Sequence, residues 1–307
     1  MSVRALVVDP SAPAAVRPGE VADPVAGSGQ VLLDVHYASL NYGDLNDAKS
    51  GRVPPGAVLG SDAAGVVVQA AADGSGPAVG TRVVALQPGA FAERIAVDVN
   101  ALAEVPEQVG LAEAAALPVA GIAALRSLRS GGLGPGKRVL VTGASGGVGR
   151  FAVQLAAHAG AHVIASVGSA PRREGLVKAG ADEVVIGLAG IDRPVDVIID
   201  SVGGPQLFEA WQLLAPGGSL QSVGWTSGEP AVFEPYSTIG PAKSLTSFIN
   251  DLSAPGADLA ELVRHVADGS LSVDLGWQGP WEDVAEAADA LRSRRVRGKA
   301  VLRVSGA

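Results

Sequence analysis

Apolar and polar positions change their period twice along the chain. Up to about residue 118, short β-type runs alternate with Gly and Pro: Val31 to Val35, Ala64 to Val68, Arg82 to Leu86 and Ala92 to Val97. Runs of this kind predict a small, highly curved β-barrel. The opening MSVRALVVDP reads as a short strand and not as a signal peptide. From Leu111 the apolar spacing becomes helical. Val139 to Val141 then form a short apolar run suited to a buried parallel strand, and Phe151, Leu155 and Ala156 recur at helical spacing. A second strand ends at Ser166-Val167-Gly168-Ser169, and further strands read at Glu183 to Ile186, Val195 to Asp200, Ser219 to Val223 and Ser244 to Phe248. Helices between several of them predict a doubly wound parallel sheet. Trp281 to Val304 reads as an amphipathic helix and a last strand, Lys299 to Val304, that returns to the first domain. The expected division is 1–118 with 252–307 for one domain and 119–251 for the other. No internal repeat is present.

The strand, turn, helix and strand from Arg138 to Ser169 form one βαβ unit of the kind that binds a dinucleotide. Gly146, Gly147 and Gly149 stand at its turn, where a pyrophosphate must approach the backbone and meet the free N–H groups of a helix N-terminus. The spacing Gly-x-Gly-x-x-Gly does not occur; the nearest match is Ala144, Gly146 and Gly149, so the expected cradle is Ala144, Ser145, Gly146, Gly147, Val148 and Gly149. Thr142-Gly143-x-x-x-Gly147-x-Gly149 also fits the short-chain dehydrogenase motif, but that family needs Tyr-x-x-x-Lys downstream, and four residues beyond Tyr236 stands Gly240. An NAD site places a carboxylate at the end of the second strand to hold the ribose hydroxyl. Here the strand ends without one, and Ser169, Arg172 and Arg173 offer a hydroxyl and two guanidinium groups to a 2′-phosphate. The expected cofactor is therefore NADPH; the alternative is that the two arginines decorate the solvated first turn of a helix. Val202, Gly203, Val223 and Gly224 fall at carboxyl ends of predicted strands and are expected to line the nicotinamide ribose, with Phe248 closing the set.

Composition narrows the classes. The 307 residues are about twice an ordinary domain, and 48% of them are apolar, enough for sizeable cores. A net charge of −8 argues against nucleic acid or an anionic membrane as partner, and no apolar run reaches the length of a membrane span. The expected compartment is the cytoplasm. With no cysteine there is no disulfide, thiol nucleophile or cysteine-ligated zinc. Asp62 is expected to stabilise a loop, and His158 and His162 flank a helix C-terminus with no carboxylate or cysteine set around them that suggests a metal.

Several short stretches together resemble the medium-chain dehydrogenase/reductase superfamily, in its zinc-independent quinone oxidoreductase and enoyl reductase branch. They are Asn41-Tyr42-Gly43-Asp44, Leu59-Gly60-Ser61-Asp62-Ala63-Ala64-Gly65, Gly89-Ala90-Phe91-Ala92-Glu93, Ala116-Leu117-Pro118-Val119-Ala120-Gly121, the glycine turn, and Gly298-Lys299-Ala300-Val301-Leu302. The resemblance implies a GroES-like β-barrel catalytic domain interrupted by a Rossmann cofactor domain. It implies that Asn41 and Tyr42 lie beside nicotinamide and substrate, as amide and phenol donors, with Asp44 close behind. Zinc-dependent relatives carry Cys where Asn41 stands and Gly-His-Glu where Gly60-Ser61-Asp62 stands, so catalytic metal ligands are missing. Without a Lewis acid, a conjugated acceptor is the better substrate: an enone, an enoyl ester or thioester, or a quinone. Many enoyl reductases of this branch carry a tyrosine where this chain has Val53. A narrow biosynthetic enoyl reductase acting on a polyketide-like substrate, or an NADPH-binding protein with little turnover, remain alternatives. The resemblance also implies a homodimer paired through Ser244 to Phe248.

Overall fold

The computed structural model describes residues 2–249 and 253–304. The chain divides into two compact units, one of Met1–Ile122, Asp251–Gly269 and Val273–Ala307, the other of Ala123–Asn250 and Ser270–Ser272. Residues 119–122 are thus counted with the first unit, and the short 270–272 stretch with the second.

The first unit begins with β1 (Ser2–Val8) and β2 (Val16–Ala22), which pair antiparallel. After β3 (Gln30–Leu40) come α1 (Tyr42–Ser50), β4 (Asp62–Gln69), β5 (Arg82–Leu86), β6 (Arg94–Asp98), β7 (Leu102–Glu104) and α2 (Leu111–Ala115). Helix α3 (Pro118–Ser130) starts in this unit. β3 is twice as long as the apolar run Val31 to Val35 suggests, because Ala38 and Leu40 carry its inward face onward past His36 and Tyr37. The inward side chains Val31, Leu33 and Val35 alternate, as a strand with one buried face requires, and Ala38 and Leu40 resume the alternation after a register shift against β4.

The second unit holds β8 (Arg138–Val141), α4 (Gly147–His158), β9 (His162–Val167), β10 (Glu183–Ile186), β11 (Val195–Asp200), α5 (Gly204–Leu213), β12 (Leu214–Ser222) and β13 (Ser244–Ser247). These six strands form a parallel sheet in the order β10-β9-β8-β11-β12-β13. The order reverses between β8 and β11, and a doubly wound sheet holds its ligand outside the carboxyl ends of the strands at that reversal. Leu140, Ile164, Ile198 and Leu220 of four adjacent strands are fully buried and pack with Leu207 and Ala210 of α5. Between β9 and β10 the described helix is a single 3₁₀ turn, Ala170–Arg173, opened by Pro171. Arg172 and Arg173 therefore belong to a tight turn and not to an α-helix.

The chain then returns to the first unit through α6 (Gly256–Ala267), β14 (Leu275–Pro280), α7 (Val284–Arg292) and β15 (Lys299–Arg303). α7 is the amphipathic helix read from the sequence: Val284, Ala287, Ala288 and Ala290 are buried on one side. β15 enters the first unit's seven-stranded sheet, whose main path is β14-β15-β3-β4-β5-β7, with β6 on β3. Its register is decisive for the chemistry: Ala300 lies opposite Leu40 on β3, and Ser39 of β3 lies opposite Asp62 on β4. The central strand thus carries the corner at Asn41 out between a lysine at one neighbour's start and an aspartate at the other's.

Candidate functional site

Each unit has its own cluster of candidate residues. In the second unit, β8 leaves the sheet at Thr142 and turns at Gly143, whose φ of +62° is open to glycine at little cost. Gly143 is the tight-turn residue, and sequence spacing did not single it out for the cradle. A Cβ on Gly149 would collide with the Gly143 carbonyl oxygen and Ala144 Cα, so this glycine serves the close packing of α4 against the turn. Ala144 is wholly buried. Gly146 caps α4 without a side-chain hydrogen bond, and the first helical bond across it runs from the Arg150 N–H to the Gly146 carbonyl at 3.0 Å. The N–H groups of Gly147, Val148 and Gly149 precede that bond and are left for an anion, with the positive end of the helix dipole behind them.

The arginines take different tasks. Arg172 Nη1 donates to Ser145 Oγ at 2.7 Å, which draws its guanidinium to the glycine turn, while Arg173 Nη2 donates to the Val184 carbonyl of β10 at 2.9 Å. Ser169 is exposed just before them. On the other side of the reversal, Asp200 ties two loops together. Its carboxylate accepts from Thr142 Oγ1 at 2.5 Å and from the Gly203 N–H at 2.9 Å, and its carbonyl accepts from the N–H groups of Val223 and Gly224 at 2.8 and 3.1 Å. Burial pushes this carboxyl up from its ordinary value, against the pull of Thr142 and the backbone donors. Val202 follows between Ser201 and Gly203. Phe248 lies at the end of the outermost strand, its N–H on the Ser222 carbonyl at 3.0 Å, two strands away from the reversal. The residues present fit a dinucleotide phosphate cradle: a glycine turn, an unspent helix N-terminus, and an arginine at the turn.

In the first unit, Asn41 caps α1 and Tyr42 opens it. The Asn41 N–H donates to Asp44 Oδ2 at 2.8 Å, which is half of a capping box, and Asp44 Oδ1 accepts from Ser61 Oγ at 3.5 Å. The Asn41 side chain is held from both ends. Its Nδ2 donates to Asp62 Oδ2 at 2.9 Å, and its Oδ1 accepts from the Lys299 ammonium. An ammonium can only donate and a carboxylate can only accept, so the amide has one orientation available. Lys299 also reaches Asp62 Oδ2 at 3.3 Å, and Asp62 Oδ1 accepts from the Val119 N–H at 2.9 Å, at the start of α3. Asp62 and Lys299 are buried to 0% and 4% side-chain exposure. Asp62 is therefore the hub of a buried network and does more than the loop role expected of it. Lys299, missed as a site residue, was visible only as part of a terminal motif.

Two carboxylates share one ammonium here. Burial raises both; at Asp62 the pull of Lys299, the Asn41 amide and the Val119 N–H opposes this without cancelling it. At Asp44 burial, and then the charge of Asp62, push the carboxyl up to about 7. The Tyr42 hydroxyl, half-buried, makes no hydrogen bond among the described residues. Of the two donors expected at this corner, Asn41 is engaged within the protein and Tyr42 is available. Val53 packs against the first unit's core and brings no polar group.

The donor set does not fit zinc. At the positions where zinc-dependent relatives carry ligands, Asn41, Ser61 and Asp62 stand, and the acceptor oxygens of Asn41 and Asp62 already face an ammonium. Among the described residues no group of three His, Cys, Asp or Glu could hold a metal. His162 has Nε2 at 2.6 Å from Glu183 and Nδ1 at 3.7 Å from Asp182, at the amino ends of β9 and β10, a contact with carboxylates that does not amount to a metal site. No helix among the described residues is long and apolar enough to cross a membrane.

Comparison with known proteins bears on both units. Residues 27–107 match the family described as alcohol dehydrogenase GroES-like domain, and residues 176–302 match the family described as zinc-binding dehydrogenase. Prostaglandin reductase-3 of Bos taurus is 33% identical over 91% of this chain and 82% of its own length. A highly reducing polyketide synthase of Arthrinium phaeospermum is 31% identical over 89% of the chain, which spans only 12% of that protein. Among solved structures, a mycobacterial protein complexed with NADPH is 27% identical, with a TM-score of 0.87 over 99% of this chain and 100% of the other. With a β-sheet unit of GroES-like type, a doubly wound cofactor sheet and a corner closed by lysine instead of metal, the chain belongs to the medium-chain dehydrogenase/reductase superfamily, in its zinc-independent quinone oxidoreductase and enoyl reductase branch.

Proposed function

We propose that this chain is an NADPH-dependent, zinc-free reductase of an activated double bond or quinone. The observation that carries the reading is the Asn41–Asp62–Lys299 network: it sets a buried lysine against Asn41 and Asp62, at the positions where zinc-dependent relatives carry ligands, while the half-buried hydroxyl of Tyr42, the residue after Asn41, makes no hydrogen bond among the described residues. With no Lewis acid to polarise a simple carbonyl, the acceptor must be activated by its own conjugation. The bound cofactor supplies a hydride. Gly147, Val148 and Gly149 offer N–H groups to its pyrophosphate, and Arg172 and Ser169 suit a 2′-phosphate at the end of a strand that offers no carboxylate. Tyr42 supplies a hydrogen bond to the acceptor oxygen on which negative charge develops. One such donor contributes about 3 to 4 kcal/mol to a transition state of this type. Asp44 and Asn41 hold the corner in place.

An enoyl thioester on a polyketide-like chain is the second reading for the substrate, favoured by the likeness to a polyketide synthase over most of this chain. A homodimer is proposed as well, paired edge to edge along β13, whose residues are all exposed and whose Leu245 keeps 44% of its surface. The test is oxidation of NADPH and NADH with 1,4-benzoquinone, a linear enone and crotonyl thioester, in the parent chain and in Tyr42→Phe. The expected result is NADPH-dependent turnover that drops by about a hundredfold or more in the variant. Tight NADPH binding with no turnover on any acceptor would favour the binding-protein alternative, and a lower KM for NADH would overturn the choice of cofactor.

A further inference from the structure

Of the two tryptophans of the second unit, Trp225 is the open one. Trp211 is 9% exposed and meets Phe233 edge-on, and Phe233 meets Phe208 in the same way. Trp225 keeps 45% of its surface exposed and has no ring partner among the described residues. It leaves β12 three residues after Ser222, at the carboxyl end of the sheet and on the β11–β12 side of the strand-order reversal. A dinucleotide laid across that reversal, with its adenosine half at the β9 end, brings its second half to this side.

The indole is nevertheless held in place. A Cβ on Gly203 would stand 2.5 Å from Trp225 Cδ2 and 2.7 Å from its Cγ, so the ring occupies the space that a side chain at 203 would take. Gly203 has φ +69° and its N–H is fixed by Asp200, which makes that space permanent. The indole N–H donates to the Glu229 carbonyl. The loop itself is laced to the β11 exit, with the Thr226 and Ser227 N–H groups on the Ser201 and Val202 carbonyls at 3.3 and 2.9 Å. Backbone thus covers one part of the ring and its only donor is spent, while the remaining π-surface is bare. Large apolar surface left open on a fixed side chain is the form a binding platform takes, because its ordering cost has been met before the ligand arrives.

We propose that Trp225 is a specificity-determining residue, an aromatic platform that stacks a flat, electron-poor ring, the nicotinamide of the oxidised cofactor or a quinone acceptor. An indole is the strongest π-donor among side chains and prefers such a partner, cationic nicotinamide above all. This deepens the reductase reading and rests on it for the acceptor, while the cofactor arm stands on binding alone.

The test compares the parent chain with Trp225→Leu, which keeps apolar packing on Gly203, and Trp225→Phe, which keeps a ring. Calorimetric titration with NADP⁺ and steady-state KM values for menadione and a linear enone are measured on variants whose Tm matches the parent. The expected result is a rise of about fivefold to tenfold in one ring ligand's constant for Trp225→Leu, mostly restored in Trp225→Phe, with the linear enone KM unchanged. A weaker NADP⁺ Kd assigns the platform to nicotinamide; a raised KM for menadione alone assigns it to the acceptor. Constants within about twofold of the parent for NADP⁺ and menadione overturn the proposal. If no acceptor is reduced, the reductase reading falls and the NADP⁺ titration alone decides the platform.

Discussion

The glycine turn after β8 and the corner at Asn41 are both polar sites at the ends of strands, yet they are built in opposite ways. The turn is made by neighbours in sequence: Gly143, Gly146 and Gly149 shape a backbone that leaves its own N–H groups and the helix dipole open to an anion. The corner is made by residues from β3, β4 and β15, and by charges that are buried and must be compensated. A local site of backbone groups tolerates the loss of a distant side chain. A site of buried charge does not, because each partner left alone keeps its full desolvation cost.

The sharpest way to break that contrast is Lys299→Met, which leaves Asp62 and the Asn41 carbonyl without their cation. We expect a loss of about 3 to 5 kcal/mol in denaturant unfolding, and a smaller loss when Asp62→Leu is added, since the lone charge goes with it. Equal or greater loss in the double variant would show that the pair is not the unit. Next in size, Gly149→Ala puts a Cβ into the Gly143 carbonyl and should cost about 1 to 3 kcal/mol with weakened NADP⁺ binding, read by thermal shift with and without cofactor. Unchanged affinity would mean that the close approach of α4 is not what shapes the cradle.

On the proposed NADPH reading, Arg172→Ala should narrow the preference for NADPH over NADH by about tenfold, measured as a ratio of kcat/KM, because one charge-assisted partner proposed for the 2′-phosphate is lost. Arg173→Ala should change it less, since that guanidinium is committed to the Val184 carbonyl. The smallest effect is one of pH. The Asp44 carboxyl goes from 3.8 when unfolded to about 7 in the fold, so between these values the native state binds the extra proton and stability falls as pH rises. Asp44→Asn, whose amide oxygen can still cap the Asn41 N–H, should flatten this slope between pH 4 and 7, as measured by unfolding at a series of pH values. A slope that persists in the variant would place the titration elsewhere.

Strand reading from the sequence was most faithful for short runs dominated by β-branched apolar residues. Arg82 to Leu86, Glu183 to Ile186 and Val195 to Asp200 are strands with those bounds. It fell short in β3, where His36 and Tyr37 interrupt the alternation and a register shift against β4 falls at the same place. The contact of His162 with Glu183 was not legible, because it forms only through the pairing of β9 with β10. The arginines after β9 were legible as phosphate donors, but their division of labour depends on where Ser145 and the Val184 carbonyl lie in space.

What the sequence by itself determined is everything that short-range rules govern. The glycine turn, the helix that follows it, the alternation of strands and helices, and the absence of cysteine all follow from chain geometry and composition within a few residues. What only the tertiary structure decided is the pairing of Lys299 with Asp62 and Asn41, the burial that raises Asp44, and the seat of Trp225 on Gly203. These depend on strand order and register across up to 258 positions of sequence separation. Burial and charge compensation are properties of the space a residue ends in, and the chain acquires that space only when its sheets close.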